Sequence, residues 1–134
     1  MTMEELQIWS RNYGVENFHG ACSFTYNDDF GFRIEATEGG RFVMLSSTIA
    51  TVSIQSESDL FRQLLRWNHL GVKTQGASFS LDETGENIVL WIMISIDDLD
   101  PAEFDRVVGS FLDLSEQFAK AVRQMDESNI AEVL

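Results

Sequence analysis

The side chains able to act on a substrate or hold a metal are few in this chain and widely spread. His19 and His69 stand far apart in sequence. His69 falls near the end of a helical stretch, where a histidine commonly satisfies terminal carbonyls. Cys22 alternates with Phe24 and Tyr26, which reads as a buried, inert thiol. Asp97, Asp98 and Asp100 form an acidic cluster, but hydrolytic carboxylates need a cleft and pKa values pushed apart. Here they read as turn and capping residues. "DETGE" at Asp82 to Glu86 lacks the alternating ligands of a calcium loop. "GVKTQG" at Gly71 to Gly76 lacks the Gly-Lys-Ser/Thr ending of a phosphate loop. No Cys/His set for zinc is present in the sequence. The expectation is a binding protein, not an enzyme, with no metal and no cofactor.

Composition narrows the partners. The chain has 134 residues, about one domain. Ten Phe and an ordinary apolar fraction argue for a packed core. The formal net charge is −13, and nine Lys plus Arg are scattered along the length. Nucleic acid and anionic membrane are therefore poor partners. Acidity favours solubility, or attraction to a basic partner. No apolar run approaches the roughly 18 residues of a membrane span, and "MTMEELQIWSRNYG" does not read as a signal peptide. Cys22 is the only cysteine, which points to a reducing cytoplasm.

The elements that would position any site follow from periodicity. Thr2 to Tyr13 reads as a helix, with Thr2 and Glu5 at capping-box spacing and Gly14 as its stop. Met3, Leu6, Trp9 and Tyr13 form its apolar face. "ACSFTY" and "FGFRIEAT" then alternate with period two, separated by the turn residues Asn27 to Asp29. "EGG" at Glu38 to Gly40 makes the next hairpin, before "RFVMLSSTIATV". In that third strand Phe42 and Met44 share one face, while Val43 and Leu45 share the other. A second helix spans about Glu57 to Leu70, with Ser56 and Asp59 at capping-box spacing and Gly71 as its end. "ASFSLD" and "IVLWIMISI" form a second hairpin, the latter strand apolar on both faces. Asp100, Pro101 and Glu103 open a third helix. Its stripe runs from Phe104 to Met125, and the tail after about Glu127 has few constraints. The expectation is one domain over 1–134 of the α+β class: a mostly antiparallel twisted sheet packed with helices.

That order leaves apolar surface in excess. The first and third helices can cover one sheet face. The second helix, with Val43, Leu45, Val89, Trp91 and Met93, still needs a partner. Either it caps the second face within the monomer or it meets a second copy, since a two-fold interface is self-complementary. The reading preferred here is a homodimer through Leu60, Leu64, Trp67, Leu70 and Trp91.

Three passages together resemble a known family. They are "LFRQLLRWNHLG", "GASFSLDETGENIVLW" and "LDPAEFDRVVGSFLDLSEQFAKAV", in this order and in a small acidic chain. The pattern is similar to the class I type III secretion chaperones, the Tir chaperone family. The resemblance implies a bacterial cytoplasmic homodimer whose second helices meet at the two-fold. It implies binding of an N-terminal effector segment in extended form, with no nucleotide or metal. The secretion ATPase is a further partner on this reading. Val43, Leu45 and Met93 are the expected effector-binding residues, with Leu6 and Trp9 as additional ones. "RFVMLSSTIATV" is a candidate edge for an added effector strand. An adaptor or regulatory domain of the same fold, with no secretion client, is the alternative.

Overall fold

Thr2 opens the first helix, α1 (Met3–Arg11), by accepting the Glu5 N–H on its hydroxyl at 3.1 Å. Asp100 does the same for the last helix, α3 (Pro101–Val133): its Oδ1 accepts the Glu103 N–H at 2.8 Å. Between them run β1 (Ala21–Tyr26), β2 (Phe30–Ala36), β3 (Phe42–Thr51), α2 (Ser58–Trp67), a 3-10 turn (His69–Gly71), β4 (Ser78–Leu81) and β5 (Asn87–Ser95). The structure, a computed structural model, describes residues 1–12, 20–27, 30–37, 40–52 and 58–133; for Ser58 and 126–133 it describes the backbone only. Tyr13, Gly14, His19, the turn residues Asp28, Asp29, Glu38 and Gly39, and the helix start at Ser56 and Glu57 lie outside the described residues.

The strands form a five-stranded sheet in the order β1-β2-β3-β5-β4, every pair antiparallel. The α+β class and the order of elements agree with the sequence reading. Strand position does not agree for β3. It lies between β2 and β5, so it is an interior strand and not an edge. Its main-chain groups are already committed to two neighbours.

One sheet face carries the helices. Phe32 packs on Phe111 of α3 with ring centroids 6.0 Å apart. Ile34 stands opposite Leu45, and Leu45 opposite Ile92, so these side chains share that face. Val43, Leu45, Ser47 and Ile49 are all buried there. At one end α1 sits on α3: the Trp9 and Phe104 rings meet edge to face at 4.8 Å, and Trp9 Nε1 donates to Asp105 Oδ1 at 3.1 Å. At the other end α2 joins the same layer. Trp67 packs against Phe118 of α3 at 5.1 Å and against Phe79 of β4 at 5.9 Å.

Candidate functional site

Because α1, α2 and α3 all lie on one side, the second face of the sheet carries no helix among the described residues. Its apolar side chains follow from the alternation of β3 and β5. Met44 stands opposite Met93, and Phe42 lies one step along the same face. Val89 and Trp91 continue it along β5. Met93 is 46% exposed and Phe42 42%. Toward β1 and β2 the face turns polar with Ser23, Arg33, Ser46 and Thr48, which line a groove of about 440 Å³ beside Gly31. A sheet face with exposed apolar side chains of this kind is suited to bind another chain.

A second apolar area lies on the outer side of α2 and its exit. Leu65, Leu70 and Val72 are 70%, 84% and 79% exposed. Leu70 and Gly71 have positive φ (56° and 68°), which turns the chain sharply and leaves the Leu70 side chain outward. Between α2 and β4 runs a groove of about 300 Å³ lined by Phe61, Leu64, Leu65, Phe79 and Leu81. The same helix carries exposed Arg62 and Arg66. The β4–β5 hairpin, which follows the opposite wall, is acidic, with Asp82, Glu83 and exposed Glu86. The Asp82 carboxylate accepts from Asn87 Nδ2 at 2.6 Å and Thr84 Oγ1 at 2.7 Å. Those bonds, the Asn87 side chain first, lower its pKa from 3.8 to about 2.

These two surfaces revise several residue assignments. Val43 and Leu45, expected on an open surface for an effector, are buried beneath α3; the outward residues of β3 are Phe42 and Met44. The faces are reversed because β3 is apolar on both sides, so alternation fixed the two sets but not which one meets the helices. Leu6 and Trp9 are likewise core residues under α3. Leu60 and Leu64 are buried within this one chain, and Trp67 is half-buried in the ring cluster. So α2 packs within the monomer through Leu60, Leu64 and Trp67, on the same face as α3 and not on the second one. Leu70, Trp91 and Met93 are accessible to a partner, Trp91 in part. Sequence reading counts Leu65 in the surplus apolar surface of the second helix without assigning it to an interface, and it misses Val72 and Phe42 as surface groups. A helical wheel places Leu65 off the Leu60–Leu64 line, and that signal was available.

The chemistry-bearing residues stay scattered. His69 is exposed on the 3-10 turn. Cys22 is half-buried rather than buried, and burial raises its pKa, against smaller opposing effects of the Ile34 backbone and Arg33. Among the described residues no group of three or more His, Cys, Asp or Glu is placed to hold a metal ion. No helix is long and apolar enough to cross a membrane among them.

Comparison with known proteins gives the fold its relatives. A chain of the ExsC–ExsE complex is 18% identical, with TM-score 0.74 over 91% of this chain and 97% of that one. A chain of the HopA1–SchA chaperone–effector complex is 16% identical, TM-score 0.66, over 87% and 91%. A chain of the ExoU–SpcU complex from the type III secretion system of Pseudomonas aeruginosa is 14% identical, TM-score 0.65, over 87% and 93%. The same fold occurs in YbjN, a candidate transcription regulator from E. coli, at 15% identity, TM-score 0.66, over 96% and 94%. No curated protein sequence is detectably similar. The model of the Tir chaperone protein (CesT) family matches residues 14–119, most of the chain. The chain therefore belongs to the Tir chaperone family.

Proposed function

We propose that this protein is a cytoplasmic bacterial chaperone for type III secretion. As a homodimer it binds the N-terminal segment of a secreted effector and keeps that segment extended, soluble and competent for export. The reading rests chiefly on one observation: the helices crowd onto one sheet face, and among the described residues no helix covers Phe42, Met44, Trp91 and Met93 on the other, Met44 and Trp91 being exposed in part. Apolar side chains at alternate strand positions suit an extended client that places its own alternate side chains among them. The outer strand β1 replaces β3 as the edge at which a client strand would add.

The second copy takes the α2–β4 side in this proposal. Leu65, Leu70, Val72 and Leu81 supply the apolar centre. Exposed arginines on α2 and an acidic hairpin beyond β4 suit an isologous contact, in which each copy sets its Arg62 and Arg66 against its partner's acidic hairpin. Residues 1–134 act as one unit, and the secretion ATPase is a further partner. Catalysis has no part in the proposal, and no cofactor is needed.

The likeness to YbjN favours a second reading, a regulatory or adaptor domain of the same fold. Purification of the protein from its own bacterium, followed by identification of bound polypeptides, separates the two. A protein that the cell secretes supports the chaperone. A transcription factor as sole partner supports the regulator.

A further inference from the structure

The outer edge of β4 is an end of the sheet, and such an edge normally offers N–H and C=O groups to any passing strand. Here the groups of Ala77 and Phe79 are taken by the connector that leads into β4. Asn68 lies just past α2, held by its own N–H to Leu64 O at 3.0 Å and by the Gly71 N–H to its carbonyl at 3.0 Å. Its side chain faces Phe79 as a peptide group would. The Phe79 N–H donates to Asn68 Oδ1 at 2.7 Å, and Asn68 Nδ2 donates to Phe79 O at 3.1 Å. Two residues earlier the pattern repeats. The Ala77 N–H donates to Thr74 O at 3.1 Å, and the buried Thr74 hydroxyl donates to Ala77 O. Ser78 and Ser80 stand on either side of Phe79 in the β4–β5 register, so positions 77, 79 and 81 are those whose main chain points away from β5, and the connector takes the first two.

We propose that Asn68 and Thr74 close the β4 edge to main-chain pairing at positions 77 and 79, so that a partner meeting the α2–β4 side, a second copy included, finds no run of open positions on which to extend the sheet and engages this side through side chains. The device rests on residues that no surface property reveals. Trp67 and Asn68 act on one target: the indole packs on the Phe79 ring while the amide occupies its backbone. An open edge beside Leu65 and Leu81 would be an aggregation site on an otherwise apolar groove. A closed one leaves the groove free for side-chain docking without building a continuous sheet across two molecules.

The proposal deepens the dimer reading above, and its test is independent of client capture. Amide hydrogen exchange on the wild-type protein should show Phe79 and Ala77 protected like amides of the interior ladder. In Asn68→Ala the Phe79 amide should exchange at least tenfold faster, and sedimentation should show species larger than the wild type that grow with concentration. Adding Leu81→Pro, which puts a proline on the same edge, should reverse that growth. Asn68→Asp serves as a second variant: its carboxylate accepts from the Phe79 N–H but opposes Phe79 O, so protection should be partial at neutral pH and improve when the carboxyl is protonated. Rapid exchange at Phe79 in the wild type overturns the proposal whatever the variants do. So does a folded Asn68→Ala protein whose size matches the wild type at every concentration. Failure to find a secreted client would overturn the chaperone reading and leave these results standing.

Discussion

Ser47 and Ser115 face each other across the sealed core with their hydroxyl oxygens 2.8 Å apart, one on β3 and one on α3. Ser115 also donates to the Phe111 carbonyl at 2.8 Å, so Ser47 is left as donor to Ser115. The pair sets the register of the long helix over the central strand. Truncating Ser115 leaves a buried Ser47 hydroxyl without its acceptor, whereas truncating Ser47 leaves Ser115 bonded to its own helix. Ser115→Ala should therefore cost more than Ser47→Ala, at about 2 against about 1 kcal/mol. The double alanine variant should cost less than their sum. Urea unfolding of the four proteins checks this; additive costs would show that the hydroxyls do not interact.

Trp67 and Leu65 should separate stability from assembly. Trp67 lies in a ring cluster with Phe79 and Phe118, whose own rings meet edge to face at 4.8 Å. Trp67→Ala should destabilise the fold by about 3 kcal/mol, the low end for a large aromatic because the ring is only half-buried. Leu65 is mostly exposed in the single chain, so Leu65→Asp should leave thermal stability of the protomer nearly unchanged and give a monomer. Sedimentation of both variants at micromolar concentration decides the matter.

The β4–β5 hairpin should carry a pH signature. Asp82 has its pKa lowered from 3.8 to about 2 in the folded chain. A carboxylate favoured in the folded state contributes its stability fully above the unfolded pKa and loses it as pH falls through the folded one. Protection of the hairpin amides should therefore decline as pH drops from 3.8 toward about 2. In Asp82→Asn that part of the decline should be missing. Exchange rates at Gly85 and Asn87 across this range provide the readout.

The uncovered sheet face should hold the client. Phe42→Asp and Met93→Asp place charge on exposed positions that the core does not use. Each should weaken capture of the effector segment by about 1–3 kcal/mol, roughly 5- to 150-fold in Kd. Folding, followed by circular dichroism, should be unaffected. Val43→Asp, in contrast, puts a charge beneath α3 and should prevent folding.

Local chemistry made much of this fold readable in the sequence. Thr2 and Asp100 cap their helices as their positions indicate, and Cys22, Phe24 and Tyr26 share a face with the core side of β2. What sequence did not settle is which of two apolar faces turns inward. In β3 the sets Phe42–Met44 and Val43–Leu45 are equally apolar, and only contact with α3 distinguishes them. Strand order was hidden for a related reason. The crossover through α2 carries the chain past β5, so β3 gains a second neighbour that lies far along the sequence. Asn68 gives no local sign of its role, because its partner Phe79 becomes a neighbour only once the chain has turned back at Gly71 and Gly76.

The central claim is that a dimer of this chain holds one stretch of a secreted protein in extended form. The most direct measurement is the mass, by light scattering, of the complex purified from the bacterium and trimmed with protease. Two copies of this chain with one protected segment from the N-terminal part of a secreted protein is the predicted result. A monomer free of any bound polypeptide would contradict it.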